Sequence, residues 1–211
     1  MTSESLSRRR RLSVDSRRDE LLAAAQALFA RMPPDEVNIN DIAAAAGASR
    51  ALVYHYFGGK NELYLASLRQ TADELIEGLT EPLGGTVPEQ LAEGLHRYFE
   101  FAEQHKAGFV ALLRGGPART GDEAGQIVEE VRQLLLDQLL TSTEIEIPSP
   151  VLRITMHGWM AAVEVAALDW LVSGTPERSV VEHLLVGHLL AMLIPTASLD
   201  PELAAFMQRL A

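Results

Sequence analysis

The sequence predicts an all-α protein, and three observations carry that prediction. Hydrophobic residues make up 47% of the chain, as in ordinary soluble globular proteins, whereas aromatic residues make up only 6%. Apolar residues recur at spacings of three and four, which is the period of an amphipathic helix. No stretch alternates apolar and polar residues over more than a few positions, so we expect no β-sheet.

The N-terminal part is predicted to hold a basic arm and three helices. Residues 1–14 are rich in Ser and Arg and have no apolar period, so we expect a disordered arm. The first helix should begin at Asp15 or Ser16 and end before Pro33, because the residue that precedes a proline disfavours the α region. Two short helices should follow, at 39–46 and 50–56.

Proline and glycine residues divide the remainder into longer helices. Lys60 opens a helix that should end near Pro82. Pro88 and Pro150 occupy first helical positions, where the missing N–H costs nothing, and a later helix should stop at Pro195. The ranges predicted beyond residue 85 are 88–105, 106–114, 122–140, 150–172, 175–194 and a short helix from 201.

Charge is distributed unevenly along the chain. The formal net charge is −11, yet residues 1–18 carry six arginines against two acidic side chains. A basic end on an acidic body favours a polyanionic partner for the N-terminal part, although a solvated basic tail explains the arginine run alone equally well. Cysteine is absent, which excludes disulfides, thiolate nucleophiles and cysteine-bound zinc.

The sequence shows neither a secretory signal nor a clear membrane span. No apolar run of signal-peptide length follows the arginines. The most apolar windows, residues 158–172 and 184–194, contain Glu164, Asp169 and His188, and both fall short of about 18 uninterrupted apolar residues. We therefore expect a cytoplasmic protein without a membrane partner.

Residues 41–54 have the layout of a helix-turn-helix, in which a glycine-containing turn separates two short helices. Gly47 can take a left-handed conformation where other residues would be strained, and Ser49 is placed to cap the second helix. Ile42 and Val53 are the expected apolar contacts between the two helices. Such a pair also occurs as plain packing in helical proteins, but the basic residues beside it favour DNA binding, with the second helix in the major groove.

This region resembles the DNA-binding region of TetR-type transcriptional regulators. The resemblance extends over residues 16–65, and its most specific part is the Val-Tyr-His-Tyr-Phe run at 53–57 followed by Lys60. The rest of the chain resembles the family only in its size and helix pattern. The resemblance implies an all-α homodimer with an N-terminal three-helix helix-turn-helix domain, here 15–60. A C-terminal helical domain, here 61–211, would bind a small effector and dimerise.

The resemblance also implies roles for particular side chains. Tyr54, Tyr56 and Lys60 match positions that usually contact backbone phosphates, and Arg50 matches a base-reading position. Leu52 departs from the pattern, because the family often has threonine or another small polar residue there and leucine cannot donate to a phosphate. The predicted DNA-binding residues are Asn40, Ser49, Arg50, Ala51, Tyr54, His55, Tyr56 and Lys60.

Two helices near the C-terminus are apolar nearly all round, which indicates that each is buried on more than one side. They favour a homodimer interface, with a monomeric helical core as the alternative. The predicted interface residues are Trp170, Leu171, Leu184, Leu185 and Leu189. Methionines and large aromatics also favour an apolar effector pocket, although core packing explains each of them as well. The predicted pocket residues are Phe99, Phe109, Leu113, Met156, Trp159 and Met160.

The sequence offers little support for catalysis. Its serines lie in helix caps and in the N-terminal arm, without a nucleophile elbow or a glycine-rich phosphate loop. Glu93, His96 and Glu100 could hold a metal, but four-helix di-iron proteins have two such Glu-x-x-His pairs and further glutamates. We expect a repressor without a cofactor rather than an enzyme. It should bind a palindromic double-stranded DNA operator as a homodimer, and a small apolar or amphipathic effector should release it; a helical metal-binding protein is the alternative.

Overall fold

The computed structural model describes residues 3–80, 84–114, 123–141, 145 and 147–210, and the secondary structure of these residues is helical, without a strand. The predicted all-α class is therefore confirmed. The helices in this part of the chain are α1 (Ser3–Phe29), α2 (Ile39–Ala45), α3 (Arg50–Phe57), α4 (Lys60–Leu79), α5 (Val87–Gln104), α6 (Lys106–Arg114), α7 (Glu123–Thr141), α8 (Pro150–Ser173), α9 (Arg178–Ala197) and α10 (Pro201–Leu210).

Helix α1 begins at Ser3, well before the predicted start at Asp15. The segment between them contains no proline or glycine, and its arginines and leucines have good helix propensity. Nothing in its sequence therefore ends a helix. Residues 1–14 were predicted to be disordered, whereas in this structure α1 extends back to Ser3. At its other end α1 stops before Pro33, as predicted.

Capping residues define both ends of α8, in agreement with the sequence. Ser149 Oγ accepts a hydrogen bond from the Leu152 N–H at 3.1 Å, and Pro150 is the first helical residue. Gly174 ends the helix with a φ of +66°, a left-handed conformation that is common at helix C-termini because glycine has no Cβ to clash.

Helix α9 continues through Pro195 to Ala197, so the predicted stop at that proline is wrong. Pro195 lacks the N–H that would bond to the Ala191 carbonyl. The buried Thr196 hydroxyl, however, donates to the Met192 carbonyl at 2.8 Å and stabilises the same turn. A proline therefore does not end this helix.

The described helices form two compact units. The first comprises residues up to Ala72 and Ala107–Ile127, and the second comprises Asp73–Lys106 and Val128–Ala211. The sequence analysis placed the boundary after residue 60, whereas the first half of α4 belongs to the first unit. The apolar side chains of this half-helix are buried, which explains the difference. They are Leu63, Tyr64, Leu68 and Ala72.

The core of the first unit is built from α1, α2, α3 and the first half of α4. The Phe29 ring lies edge-on to the Tyr64 ring, with the two centroids 4.7 Å apart, and so joins α1 to α4. The apolar side chains of α1 recur at helical spacing and are buried at Leu21, Leu22, Ala25 and Phe29, whereas Leu28 is half-buried. The side chains buried in this core include Leu21, Leu22, Ala25, Phe29, Val37, Ile42, Val53, Leu63 and Leu68.

A polar link between α1 and α4 lies against α6 in the same unit. Gln26 Nε2 donates to Thr71 Oγ1 at 3.0 Å, and the buried Thr71 hydroxyl donates to the Ser67 carbonyl at 3.2 Å. Gly108 of α6 packs directly on this link, since a Cβ added there would clash with Thr71 Oγ1. The close approach of α6 therefore requires glycine at this position.

The core of the second unit lies among α5, α7, α8 and α9. Trp159 of α8 is buried, and its Nε1 donates to the Leu185 carbonyl of α9 at 2.9 Å, so the polar atom of the indole has a partner. Phe99 of α5 lies edge-on to Trp170 of α8, with centroids 5.8 Å apart. Further core side chains are Leu91, Leu95, Leu136, Leu152, Met156, Val163, Ala167 and Leu189.

Gly108→Ala should lower the free energy of unfolding by about 1–3 kcal/mol, because an added methyl in a close contact forces the neighbours to shift. Thr71 cannot rotate away without losing its hydrogen bonds to Gln26 and Ser67. Urea unfolding followed by circular dichroism measures the change. In a Thr71→Ala background the hydroxyl and methyl of Thr71 that lie close to the added Cβ are gone, and the cost should shrink. An equal cost in both backgrounds would contradict this contact.

Candidate DNA-binding surface and internal cavity

The turn between α2 and α3 has helix-turn-helix geometry. Gly47 has a φ of +56°, in the left-handed region that glycine adopts without strain. The Ala48 N–H donates to the Ala43 carbonyl at 2.8 Å, and Ser49 Oγ accepts from the Leu52 N–H at 3.2 Å. The same few residues therefore close the end of α2 and cap the start of α3.

Packing and capping fix α2 and α3 relative to each other. Ile42 of α2 and Val53 of α3 are both fully buried, in agreement with their expected role as the apolar contacts of the pair. Asn38 caps α2, because its Oδ1 accepts from the N–H groups of Asn40 and Asp41 at 2.9 and 3.1 Å. These hydrogen bonds stabilise the first turn of α2, the helix against which α3 packs.

Two arginines of α1 bind the helix-turn-helix, a role that the sequence analysis missed. Arg17 Nη2 donates to the Gly47 carbonyl at 2.9 Å. The Arg18 guanidinium lies over the Phe57 ring, 5.3 Å from its centroid, as a cation–π contact. The sequence analysis counted both only as part of a basic stretch. The spacing of Arg18, one helical turn before the buried Leu22, is the signal that could have placed it against α3.

The outer face of α3 carries predicted DNA-binding side chains. Helical spacing places Arg50, Ala51, Tyr54 and His55 on one side of the helix. Tyr56 is half-buried on the flank, where its ring lies edge-on to His55 with centroids 5.4 Å apart. The predicted residues that are exposed are Asn40, Ser49, Arg50, Ala51, Tyr54 and His55.

Lys60, which the sequence analysis expects at a phosphate, binds within its own chain in this structure. Its Nζ donates to the Pro34 carbonyl at 2.8 Å and to the Asp35 carbonyl at 3.4 Å. These carbonyls belong to the segment between α1 and α2, so Lys60 joins that segment to the start of α4. An ammonium has three N–H donors, which leaves a third for an outside acceptor.

The second unit contains a cavity of about 200 Å³. The predicted pocket residues that line it are Met156, Trp159 and Met160. The other three do not: Phe99 packs in the core of this unit, whereas the buried Phe109 and the half-buried Leu113 belong to the first unit. Core aromatics and cavity aromatics show the same helical spacing in a sequence, so the pattern could not separate them.

Most of the cavity lining is aliphatic, which favours an apolar ligand. The sequence analysis missed these side chains, because each lies on the ordinary apolar stripe of its helix. The polar contribution comes from Gln90, Tyr98, Gln138 and Glu164. The apolar lining residues beyond α8 include Leu79, Val87, Leu91, Leu95, Leu135, Leu139, Ile145, Leu189, Leu193, Leu203 and Phe206.

Glu164 of the lining is bound by Arg132 of α7. Arg132 Nε donates to Glu164 Oε1 at 2.8 Å and Nη2 donates to Oε2 at 2.7 Å, a bidentate geometry. The hydrogen bond to Glu164 raises the pKa of the Arg132 guanidinium, which therefore stays charged. Burial raises the pKa of Tyr98 well above its usual range, and the nearby Glu164 charge raises it further, so this phenol stays neutral.

The metal-binding alternative is not supported. Glu93 accepts a hydrogen bond from Arg97 Nε at 2.8 Å, and His96 Nδ1 lies 3.4 Å from a carboxylate oxygen of Glu182. Glu100 is exposed on the same helix. Among the residues that the structure describes, no group of three or more His, Asp or Glu side chains could hold a metal ion.

The predicted interface residues divide between core and surface. Leu171, Leu185 and Leu189 are 8%, 2% and 5% exposed and are buried within their own chain, whereas Leu184 is 54% exposed. Trp170 is half-buried. The assignment of those three leucines to an interface is therefore corrected to the core. A helix that is apolar all round does not reveal which of its stripes faces its own chain.

Helices α8 and α9 each expose an apolar stripe. Their most apolar 18-residue windows have mean hydropathies of 1.2 and 1.6, so both are long and apolar enough to cross a bilayer, contrary to expectation. The same apolarity arises when a helix is buried on one side by its own chain and on the other by a partner. The exposed residues are Ile154, Val165 and Val172 on α8 and Val180, Leu184, Leu190 and Ile194 on α9.

Both parts of the chain match known families. Residues 21–67 match the family model of bacterial regulatory proteins of the tetR family, and residues 87–192 match the tetracyclin repressor-like C-terminal domain. The crystal structure of a TetR-family transcriptional regulator from Streptomyces coelicolor is 38% identical, with a TM-score of 0.80, and the match covers 92% of this chain and 88% of that chain.

More distant relatives share the same organisation. The transcriptional activator FasR of Mycolicibacterium smegmatis is 28% identical over 171 residues, which are 79% of this chain and 77% of FasR. FadR of Bacillus subtilis, determined in complex with stearoyl-CoA, shares the fold at 18% identity with a TM-score of 0.66, over 81% of this chain and 96% of that chain. The regions that match the two family models contain the helix-turn-helix and the α8 side of the cavity. The chain belongs to the TetR family of DNA-binding transcriptional regulators.

Proposed function

We propose that this regulator is a cytoplasmic, ligand-responsive repressor that binds a palindromic operator as a homodimer and is released by a small apolar or amphipathic effector. One observation carries the proposal: the same chain holds an exposed helix-turn-helix face on α3 and an apolar cavity lined by α8. A protein with both features has one surface that can bind an operator and one site that can bind an effector.

Helix α3 is proposed to enter the major groove with its N-terminal end first. Arg50 is the first residue of α3 and is exposed, and its guanidinium can pair with both acceptors of a guanine. Ala51 can place its methyl against a thymine methyl. Tyr54 and His55 lie one turn further along the same face, within reach of the next bases or of the backbone.

Contacts to the DNA backbone are proposed for Asn40, Ser49, Tyr56 and Lys60. Ser49 stands at the N-terminal end of α3, where backbone N–H groups and the helix dipole favour a phosphate. Lys60 retains an N–H beyond those bound to Pro34 and Asp35. The arginines at 8–11 form the proposed basic arm and add positive charge at the same end of the chain.

Dimerisation is proposed through the exposed stripes of α8 and α9. Val165, Val172, Leu184 and Ile194 are 59%, 85%, 54% and 66% exposed, and large apolar side chains exposed along two adjacent helices favour an interaction site. Two heads on one dimer can read half-sites in successive major grooves, about 34–36 Å apart. A palindromic operator follows from the two-fold symmetry of such a dimer.

The cavity is the proposed effector site. Its aliphatic lining favours an apolar molecule or the apolar part of an amphipathic one. The stearoyl-CoA of the related FadR structure supports the idea that this fold can hold a long acyl chain. An effector that binds the second unit would act by favouring a protein conformation with lower affinity for the operator.

Selection of bound sequences from a random duplex pool, followed by transcription from a promoter that carries the selected sequence, tests this function. We expect a two-fold symmetric motif, lower transcription in the presence of the protein, and recovery when an apolar effector is added. A motif without symmetry would contradict the palindromic dimer. Increased transcription would make the protein an activator, as the name of the related FasR indicates for that protein.

Arg50→Ala should weaken binding to the selected operator by about 1–3 kcal/mol and relax the base preference at one position in each half-site. The reason is the loss of a bidentate contact to one base. Repeating the selection and titrating the operator measure both effects. Arg69→Ala, which removes an exposed arginine of α4, is the matched control and should leave the motif unchanged. An unchanged motif for Arg50→Ala would rule out base reading by this residue.

Lys60→Ala should weaken binding to all DNA sequences about equally and lower the salt dependence of the binding constant by about one unit, because one phosphate contact is lost. Binding constants at several salt concentrations give the slope. Lys60→Arg keeps the charge and should keep the slope. If affinity falls while the slope of Lys60→Ala equals that of the wild type, Lys60 only anchors the Pro34 and Asp35 carbonyls.

Leu184→Glu should convert the dimer to a 23.1 kDa monomer, because it would bury two like-charged carboxylates across the symmetry axis. The monomer should keep its helicity, since Leu184 is exposed within its own chain, and should lose operator binding. Leu134→Glu on α7, where the leucine is 47% exposed, is the control. Sedimentation measures the mass; a Leu184→Glu protein that stays dimeric would place the interface elsewhere.

A further inference from the structure

Among the lining residues that the structure describes, the apolar cavity of the second unit has one carboxylate, and that carboxylate is already paired with a cation. Within the described lining, Glu164 is the residue with a charged side chain, and Gln90, Tyr98 and Gln138 supply neutral polar groups. Arg132, which is not itself a lining residue, binds both oxygens of Glu164 at 2.8 and 2.7 Å. The two side chains are only 18% and 16% exposed, so water screens the pair weakly.

This charge balance disfavours ionic ligands of either sign. An anion would meet the Glu164 carboxylate and find no cation among the described lining residues. A cation would find the carboxylate already bound to Arg132. Burying a charge without a partner is costly, and breaking the buried pair to supply a partner leaves the other member unpaired. An uncharged ligand incurs neither cost, and an amide such as that of Gln138 can both donate a hydrogen bond to it and accept one.

We infer that the Arg132–Glu164 pair makes the cavity selective for an uncharged, mainly apolar ligand with a single hydrogen-bonding group, such as a long-chain alcohol. The inference rests on the proposed role of this cavity as the effector site. The pair then acts as a specificity determinant: removing one member should not abolish binding but should favour a charged ligand, a cation when Arg132 is removed and an anion when Glu164 is removed.

Three probes with the same chain length separate the possibilities. They are 1-decanol, decanoate and decylammonium, used near neutral pH, where the carboxylic acid is deprotonated and the amine is protonated, and below the concentrations at which they form micelles. The fluorescence of Trp159 in the lining reports binding, and a Trp170→Phe background removes the other tryptophan of the chain. Decanol should bind at least about tenfold tighter than either ion, a difference of about 1.4 kcal/mol.

Substitutions in the pair should then shift this order. Arg132→Met leaves Glu164 without its cation, so decylammonium should gain at least about tenfold relative to decanol. Glu164→Gln should raise the affinity for decanoate relative to decanol, by a smaller factor than the gain of decylammonium in Arg132→Met. The gain is smaller because Glu129, 3.5 Å from Arg132, still partly neutralises the guanidinium. The double variant Arg132→Met with Glu164→Gln has neither charge and should regain the preference for decanol, which a merely structural role of the pair would not produce.

The inference is overturned if the wild type prefers either ion, if it binds none of the three probes, or if a folded Arg132→Met protein keeps the wild-type order. Thermal melting by circular dichroism shows whether each variant folds. If Arg132→Met does not fold, the ligand order of the wild type and of the double variant tests the inference. Operator binding by the unliganded wild type is measured separately. Its failure would sink the proposed repressor and leave the ligand preference standing, whereas a preference for an ion with intact operator binding would overturn only this inference.

Discussion

The DNA-binding surface depends on the turn at Gly47, because that turn sets the direction of α3. The φ of +56° at Gly47 brings the Ala48 N–H to the Ala43 carbonyl and puts Ser49 in position to cap the next helix. Any other residue at 47 would carry a strained left-handed conformation, and α3 would leave α2 at a different angle. Arg17 donates to the Gly47 carbonyl, so α1 is fixed to the same turn. The exposed face of α3 is therefore positioned by backbone geometry and by two arginine side chains from outside the motif, because Arg18 also lies over the Phe57 ring.

Polar contacts recur wherever the first unit needs a defined arrangement rather than mere burial. Apolar burial is strong but non-directional, and it would tolerate small rotations of these helices. Lys60 binds the Pro34 carbonyl, and Gln26 binds Thr71 beside Gly108. Each contact joins segments that are distant in sequence, and each depends on donor and acceptor geometry that a rotation would break. The core supplies the stability of the unit, and these links restrict the angles at which its helices pack.

Sequence reasoning succeeded where the cause of a structure is local and failed where the cause lies elsewhere in the chain. The turn at Gly47, the cap at Ser49 and the helix start at Pro150 follow from a few adjacent residues, and the structure has all three. Helix α9 passes through Pro195 to Ala197, where the Thr196 hydroxyl donates to the Met192 carbonyl and also lies 2.8 Å from the hydroxyl of Thr155 on α8, a contact that the local sequence does not reveal. Leu184 and Leu185 are adjacent in an apolar helix, yet one is exposed and the other is buried, and only the packing of α9 on α8 decides which. The cavity wall was found only in part for the same reason, since its leucines come from separate helices.

Helix α8 has two apolar surfaces at once, and this links the cavity to the exposed stripe. Met156 and Trp159 line the cavity from one side of the helix, whereas Ile154 and Val165 are exposed on another. The two surfaces are separated only by the width of a helix, about 10 Å. Protein interiors are packed as densely as organic crystals and have low compressibility, so a ligand larger than the cavity displaces the helix instead of compressing its side chains. A displacement of α8 carries its exposed stripe with it. If the cavity holds the effector and the exposed stripe forms the dimer, as proposed above, effector binding and dimer geometry are coupled through a single rigid helix.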